Sequence, residues 1–260
     1  MPVCTRPRTV LALQGGSVRP WLEGLITNTL SAPVTFAALL TPQGKIIADF
    51  FVTDHGGELL LDTTPDMGPA LAKRLSMYRL REPVEIADVS DAHHLVCAWG
   101  EGDGDLPGDP DPRHPALGTR RLVSAPQAGG GDYDAHRLAL GVPDSQWDFG
   151  PQSTFPMDAC MDQLNGVDYA KGCFVGQEVV SRMKRLGSVR KRMRGVVLSG
   201  PANAGDPVKA GTRTVGQVLH VNGAMGMALV RPDRLRDAAE SPTVCGERVT
   251  IMDSVLGTDD

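Results

Sequence analysis

The sequence predicts an α+β fold that closes in a small all-β domain. Three observations carry this expectation. Short apolar runs bounded by glycine and proline recur along the chain; one clear amphipathic helix pattern follows the third of them; and from Arg192 onward every run is strand-like. With 30 glycines, 20 prolines and 5% aromatic residues, the 260-residue chain has the texture of many turns and short strands.

Residues 9–13 read as a strand entering the turn Gln14-Gly15-Gly16-Ser17. Over 20–30, Trp21, Leu22, Leu25, Ile26 and Leu30 are spaced as on one helix face. The runs 34–40 and 46–52 flank Thr41-Pro42-Gln43-Gly44-Lys45, a hairpin signal, and 58–62 adds a third strand. Thr64-Pro65 predicts an N-cap and first helical residue, followed by an apolar face of Met67, Leu71, Leu75 and Tyr78, with Lys73, Arg74 and Arg81 left to solvent. Residues 84–89 and 95–99 are two more strands. The stretch 101–118, with four prolines, four glycines and five acidic residues, offers little to bury and predicts an exposed loop. Residues 119–123 form a strand, 124–131 a second break, and 132–141 a short helix capped by Asp132 and stopped by Gly141. Beyond 192, the strands 193–198, 213–221, 225–230 and 248–252 predict a barrel or sandwich of about 70 residues. The domain boundary is expected near 185–192, giving an α+β region over 1–188 and the β domain over 189–260.

A hydrophobic content of 41% and a net charge of −5 fit an ordinary globular protein and argue against a general nucleic-acid binder. No apolar stretch approaches a membrane span and the N-terminus lacks the apolar core of a secretory signal; the odd, widely spaced cysteines make a reducing cytoplasm the default location. Five widely spaced cysteines (Cys4, Cys97, Cys160, Cys173 and Cys245) give neither a disulfide framework nor a zinc module. The histidines, His93-His94 included, read as surface or structural residues. Common hydrolase, zinc-protease and dinucleotide fingerprints are absent.

The densest chemistry lies in Lys171-Gly172-Cys173-Phe174-Val175-Gly176-Gln177-Glu178. Its glycines suit a bent loop, and the following residues are helix formers with Glu178 early. A thiol ahead of a helix start and two residues from a lysine has the setting of a reactive cysteine; burial as plain core filler is the alternative. Seven cations follow within thirteen residues (Arg182, Lys184, Arg185, Arg190, Lys191, Arg192 and Arg194), read either as a solvated face or as a site for a carboxylate-bearing ligand or RNA phosphate.

The octapeptide resembles the K-G-C-[FY]-x-G-Q-E signature of the YgfZ family, relatives of the folate-dependent T-protein (GcvT). The blocks 11–15, 21–28, 37–49, 137–143, 156–171 and 226–231 are also similar to family segments. The resemblance implies a GcvT-like ring of three subdomains around a central cavity holding tetrahydrofolate or a derivative. It also implies a role in assembling or repairing iron–sulfur clusters in client enzymes, tRNA-modifying ones among them. In that reading Cys173, with Lys171 beside it, is the functional thiol and the transient contact for a cluster, with no resident metal. Gly172, Phe174, Gly176, Gln177, Glu178, Arg182, Asn28 and Asp158 are the expected cofactor contacts. Ala139 stands where many folate-binding relatives carry a glutamate, so Asp158 or another acid is the expected substitute. The role implied is accessory rather than catalytic. The alternatives are a folate-dependent aminomethyl or one-carbon transferase, and an RNA-associated module using 182–194.

Overall fold

The computed structural model describes residues 1–80, 82–100, 108–187 and 189–254. The chain opens with β1 (Val3–Arg6), β2 (Thr9–Gln14), α1 (Val18–Glu23), β3 (Val34–Leu40), β4 (Ile46–His55), β5 (Glu58–Thr63) and α2 (Gly68–Arg79). It continues with β6 (Glu85–Asp88), β7 (His94–Ala98), β8 (Asp109–Pro110), β9 (Thr119–Val123), α3 (Tyr133–Ala139) and α4 (Gln177–Arg185). The last part holds β10 (Arg192–Leu198), β11 (Pro207–Ala210), β12 (Arg213–Asn222), β13 (Met225–Val230), α5 (Pro232–Arg236), β14 (Pro242–Val244) and β15 (Glu247–Ile251).

These strands make three antiparallel sheets: a five-stranded one ordered β3-β4-β5-β2-β6, a four-stranded one ordered β1-β7-β9-β8, and a closed barrel β10-β13-β12-β11-β14-β15. All seven residues of β3 are buried, which is why its sequence is a continuous apolar run without alternation. Ala37 and Leu39 pack with Leu71 and Leu75 of α2, while Phe36, Ala38 and Leu40 join a second core with Leu95, Leu138 and Met161. The barrel has its own core of Val196, Val208, Val215, Val218, Ala228, Val244 and Val249.

Four expectations change. The helix expected over 20–30 ends at Glu23; Ile26 instead bridges to Leu39, so the apolar spacing reflects a turn pressed into the core. Thr64 does not cap α2. Its carbonyl accepts from the Met67 and Gly68 amides at 3.1 and 3.0 Å, and the helix starts at Gly68, where an added Cβ would lie 2.5 Å from Thr9 Oγ1. The stretch 101–118 is not simply an exposed loop: it contributes β8 and buries Asp111, Arg113 and Leu117, although residues 101–107 lie outside the described residues, as does Arg81. Finally, β11 and β14 complete a barrel from which the sequence showed only four strands, because each is three or four residues long and begins with proline.

Candidate functional site

The octapeptide forms a fixed loop leading into α4. Gly176 is the N-cap residue with φ 81°, a left-handed conformation, and a Cβ there would lie 2.6 Å from Thr41 O. The same added Cβ would lie 3.2 Å from Gly44 Cα, so hairpin turn and loop pack backbone to backbone, while Gly44 itself faces the Val179 side chain. Upstream, Asp168 accepts hydrogen bonds from the Ala170 and Lys171 amides and from the Thr29 hydroxyl.

Within the loop, side chains alternate between anchoring and display. Lys171 Nζ donates to the carbonyls of Glu23, Ile26 and Asn28 at 2.5, 2.6 and 3.2 Å. This half-buried ammonium is held below the usual lysine range by burial, with Glu23 and Asp168 opposing. Phe174 is 8% exposed and belongs to the core. Between these two anchors Gly172 and Cys173 are exposed. The ammonium that the sequence sets beside Cys173 is thus bonded to backbone carbonyls at the end of α1 and in the turn that follows it. Gln177 Nε2 donates to Gly172 O at 3.3 Å and closes the loop, while Glu178 and Arg182 stand exposed on α4.

The other expected contacts serve the scaffold. Asn28 Nδ2 donates to Phe36 O and Asn165 O. Asp158 accepts from Met193 N at 2.7 Å through its carbonyl; burial raises its carboxyl pKa, with Lys45 and Lys191 among the groups opposing. Of the seven cations, Arg192 and Arg194 are buried in the barrel wall, and Arg192 pairs with Asp162 at 2.6 Å, which leaves a strip of five exposed cations.

Where the three sheets meet lies a cluster that the sequence reading missed. Arg6 and Arg113 pair with Asp144, and Arg113 also with Asp111. Arg8 and Arg120 pair with Asp62, while Arg137 pairs with Asp148 and Asp134. The guanidiniums stack on aromatic faces, Arg6 on Tyr133 at 4.4 Å and Arg113 on Phe51 at 4.9 Å. Burial works against the charge on Asp144, yet Arg6 and Arg113 outweigh it and hold the carboxyl far below the usual range. Asp49, by contrast, is raised by burial, with one oxygen unpartnered. The only signals in sequence were single charges in apolar runs, Asp49 after Ile46-Ile47-Ala48 and Asp62 after Leu59-Leu60-Leu61.

This cluster bears on the folate that the resemblance implies for the centre of the ring. The side chains of Arg6, Arg113, Arg120, Asp62 and Asp144 are each 5% exposed or less. A groove of about 420 Å³ reaches Asp62 and Arg120, but there the two are bonded to each other. A groove of about 340 Å³ opens beside Asn28, Phe36, Pro112, Asn165 and Asp168. There Asn28 and Asn165 donate to backbone carbonyls, and Asp168 accepts from loop amides and Thr29. A pterin edge needs a converging carboxylate or amide with capacity to spare. The residues lining this groove are already committed to the scaffold and do not fit the group.

Comparison with known proteins agrees with this architecture. Residues 190–253 match the family described as the CAF17 C-terminal beta-barrel domain. Over 218 residues the chain is 30% identical to the mitochondrial iron–sulfur cluster assembly factor IBA57 homolog of Mycosarcoma maydis, covering 72% of this chain and 54% of that protein. The homolog from Phaeosphaeria nodorum is 32% identical over 77% of this chain and 56% of its own length. The human protein is 27% identical over 95% of this chain and 82% of its own. The chain thus spans about half the length of the two fungal relatives. These names overturn the cytoplasmic location expected from the cysteine pattern, since the relatives are mitochondrial proteins. Among solved structures, the glycine cleavage system aminomethyltransferase T from Bartonella henselae superposes with a TM-score of 0.72 over 96% of this chain and 84% of that one, at 12% identity. The chain therefore has the aminomethyltransferase T fold with a CAF17-type barrel, and is similar over most of its length to IBA57 iron–sulfur cluster assembly factors.

Proposed function

We propose that this chain acts in the assembly or repair of iron–sulfur clusters in client enzymes, tRNA-modifying ones included, and that Cys173 is where it meets the cluster. The observation that carries this reading is a thiol displayed to solvent between two anchors, the half-buried Lys171 and the buried Phe174. The names of the relatives supply the cargo. A thiolate is a strong iron ligand, and a cluster held by thiolates takes one from each of several cysteines. Cys173 offers one ligand, and among the described residues no three His, Cys, Asp or Glu side chains converge on a metal position. The remaining ligands come from the partner, so the thiol works at an interface, where the cluster is cargo in passage.

The exposed cations Arg182, Lys184, Arg185, Arg190 and Lys191 follow Cys173 along the chain. Lys184 lies 3.5 Å over the Tyr169 ring, and the others make no ion pair among the described residues. The strip favours an acidic protein partner over RNA, because no exposed aromatic side chain accompanies it for bases to stack on. The test is complementation. In cells lacking their own factor, this chain restores iron–sulfur enzyme activity; expression without restoration contradicts the proposal.

A further inference from the structure

Of the five cysteines, three have plain surroundings. Cys173 belongs to the loop described above. Cys160 is buried, donates to Met193 O at 3.2 Å, and is pushed up to about 11 by burial. Cys245 is exposed and raised by its contact with Asp206. The other two face each other. Cys4 on β1 and Cys97 on β7 are direct register partners in the four-stranded sheet.

We propose that Cys4 and Cys97 form a peroxide-responsive dithiol, a redox site separate from Cys173, that closes to a disulfide across β1 and β7. The geometry is that of an antiparallel pair. Two residues along each strand Trp99 N donates to Pro2 O at 3.2 Å, so by alternation Cys4 and Cys97 also occupy a hydrogen-bonded position. Such partners have Cα atoms about 5.5 Å apart, inside the range a disulfide spans. Side chains of register partners share a face of the sheet, and the next residue across from Cys97 is Arg120. Arg6 lies two residues beyond Cys4 on the same face.

The surroundings divide the labour between the two sulfurs. The adjoining Cys4 thiol, with Arg6 and Arg120 nearby, lowers Cys97 against the opposing effect of burial. Cys4 is correspondingly raised by the adjoining Cys97 thiol and by burial. Cys97 is therefore the nucleophile and Cys4 the resolving thiol. The Cys97 thiolate attacks one oxygen of hydrogen peroxide, the O–O bond breaks, and the departing hydroxide takes up a proton as water. The resulting sulfenic acid is attacked at sulfur by Cys4; the S–O bond breaks, and hydroxide leaves with the Cys4 proton as a second water. Two thiols and one peroxide become one disulfide and two waters. Peroxide is small enough for a site where Cys97 is buried and Cys4 is half-buried on an edge strand.

The test uses the purified full chain with one equivalent of hydrogen peroxide, followed by alkylation under denaturing conditions and peptide mass analysis. The expected result is a Cys4–Cys97 linked peptide and the loss of two alkylatable thiols, in the wild type and equally in Cys173→Ala. The rate should rise with pH as the Cys97 thiolate population grows. Cys4→Ser should leave a sulfenic acid on Cys97 that dimedone traps. If that variant does not fold, the wild type decides alone: the linked peptide should form in the native chain and lose its preference in urea. Cys4 and Cys97 remaining alkylatable at peroxide doses that oxidise Cys173 would overturn the proposal, as would Cys97 passing to sulfinic acid without linkage. Because the readout is chemical, it stands or falls independently of any role in cluster assembly.

Discussion

Lys171 and Cys173, two residues apart, face opposite ways: the ammonium is bonded to the carbonyls of Glu23, Ile26 and Asn28, and the thiol is in solvent. The lysine thus acts on the cysteine through the backbone. It ties the loop to the end of α1, Phe174 ties it to the core, and the residue between has nowhere to turn but outward.

Lys171→Met removes three charge-assisted hydrogen bonds and leaves their carbonyls half-buried. The expected cost is about 1–3 kcal/mol, with faster amide hydrogen exchange over 170–176 than elsewhere. Exchange unchanged in this segment would show that the loop is held by other contacts.

Asp144 gives the cluster a signed pH dependence. Its carboxyl is depressed in the folded state, so its contribution is complete above the unfolded pKa near 4 and is lost as pH falls through the folded value. Thermal stability should therefore fall steadily below about pH 4. At neutral pH Asp144→Ala leaves Arg6 without a carboxylate and Arg113 with Asp111 alone, and should cost about 3–5 kcal/mol, measured by denaturant unfolding. A loss under 1 kcal/mol would mean that the arginines find other partners.

The mutual pairing of the Arg–Asp cluster bears on folate directly. Titration with 5-formyltetrahydrofolate followed by calorimetry should give no saturable binding below about 1 mM, where binding would be worth some 4 kcal/mol. Micromolar binding would mean that the Arg–Asp cluster opens to admit a pterin.

Reversing the strip with Arg182→Glu, Arg185→Glu and Lys191→Glu together should leave the melting temperature within a few degrees, because all three are exposed. Rescue of iron–sulfur enzymes should drop at least tenfold, with partner capture in the wild type weakening as salt rises. Salt-sensitive capture of RNA rather than protein would instead assign the strip to RNA.

What was legible in the sequence is what is local. The hairpin at 41–45, the glycine-flanked loop into α4, the Asp132 cap, which accepts from Ala135 N at 2.9 Å, and the longer barrel strands all follow from neighbours a few residues apart. The start of α2 was not legible, because Gly68 is fixed by its approach to Thr9 across the fold. Nor was the central cluster: Arg8 finds Asp62 54 positions away and Arg6 finds Asp144 138 positions away. Asp111 and Arg113 even sat in a segment whose prolines, glycines and acids described a solvated loop. Lys171 was read as the neighbour of Cys173 because sequence proximity says nothing of which way a side chain leaves the backbone.

The most direct measurement compares wild type and Cys173→Ala at equal expression in cells lacking their own factor, assaying iron–sulfur enzyme activity. Cys173 is exposed and makes no packing contribution, so the variant should fold with an unchanged melting temperature. The account predicts rescue by the wild type and less than a tenth of it by the folded variant. Equal rescue by both would contradict it and remove the thiol from the function.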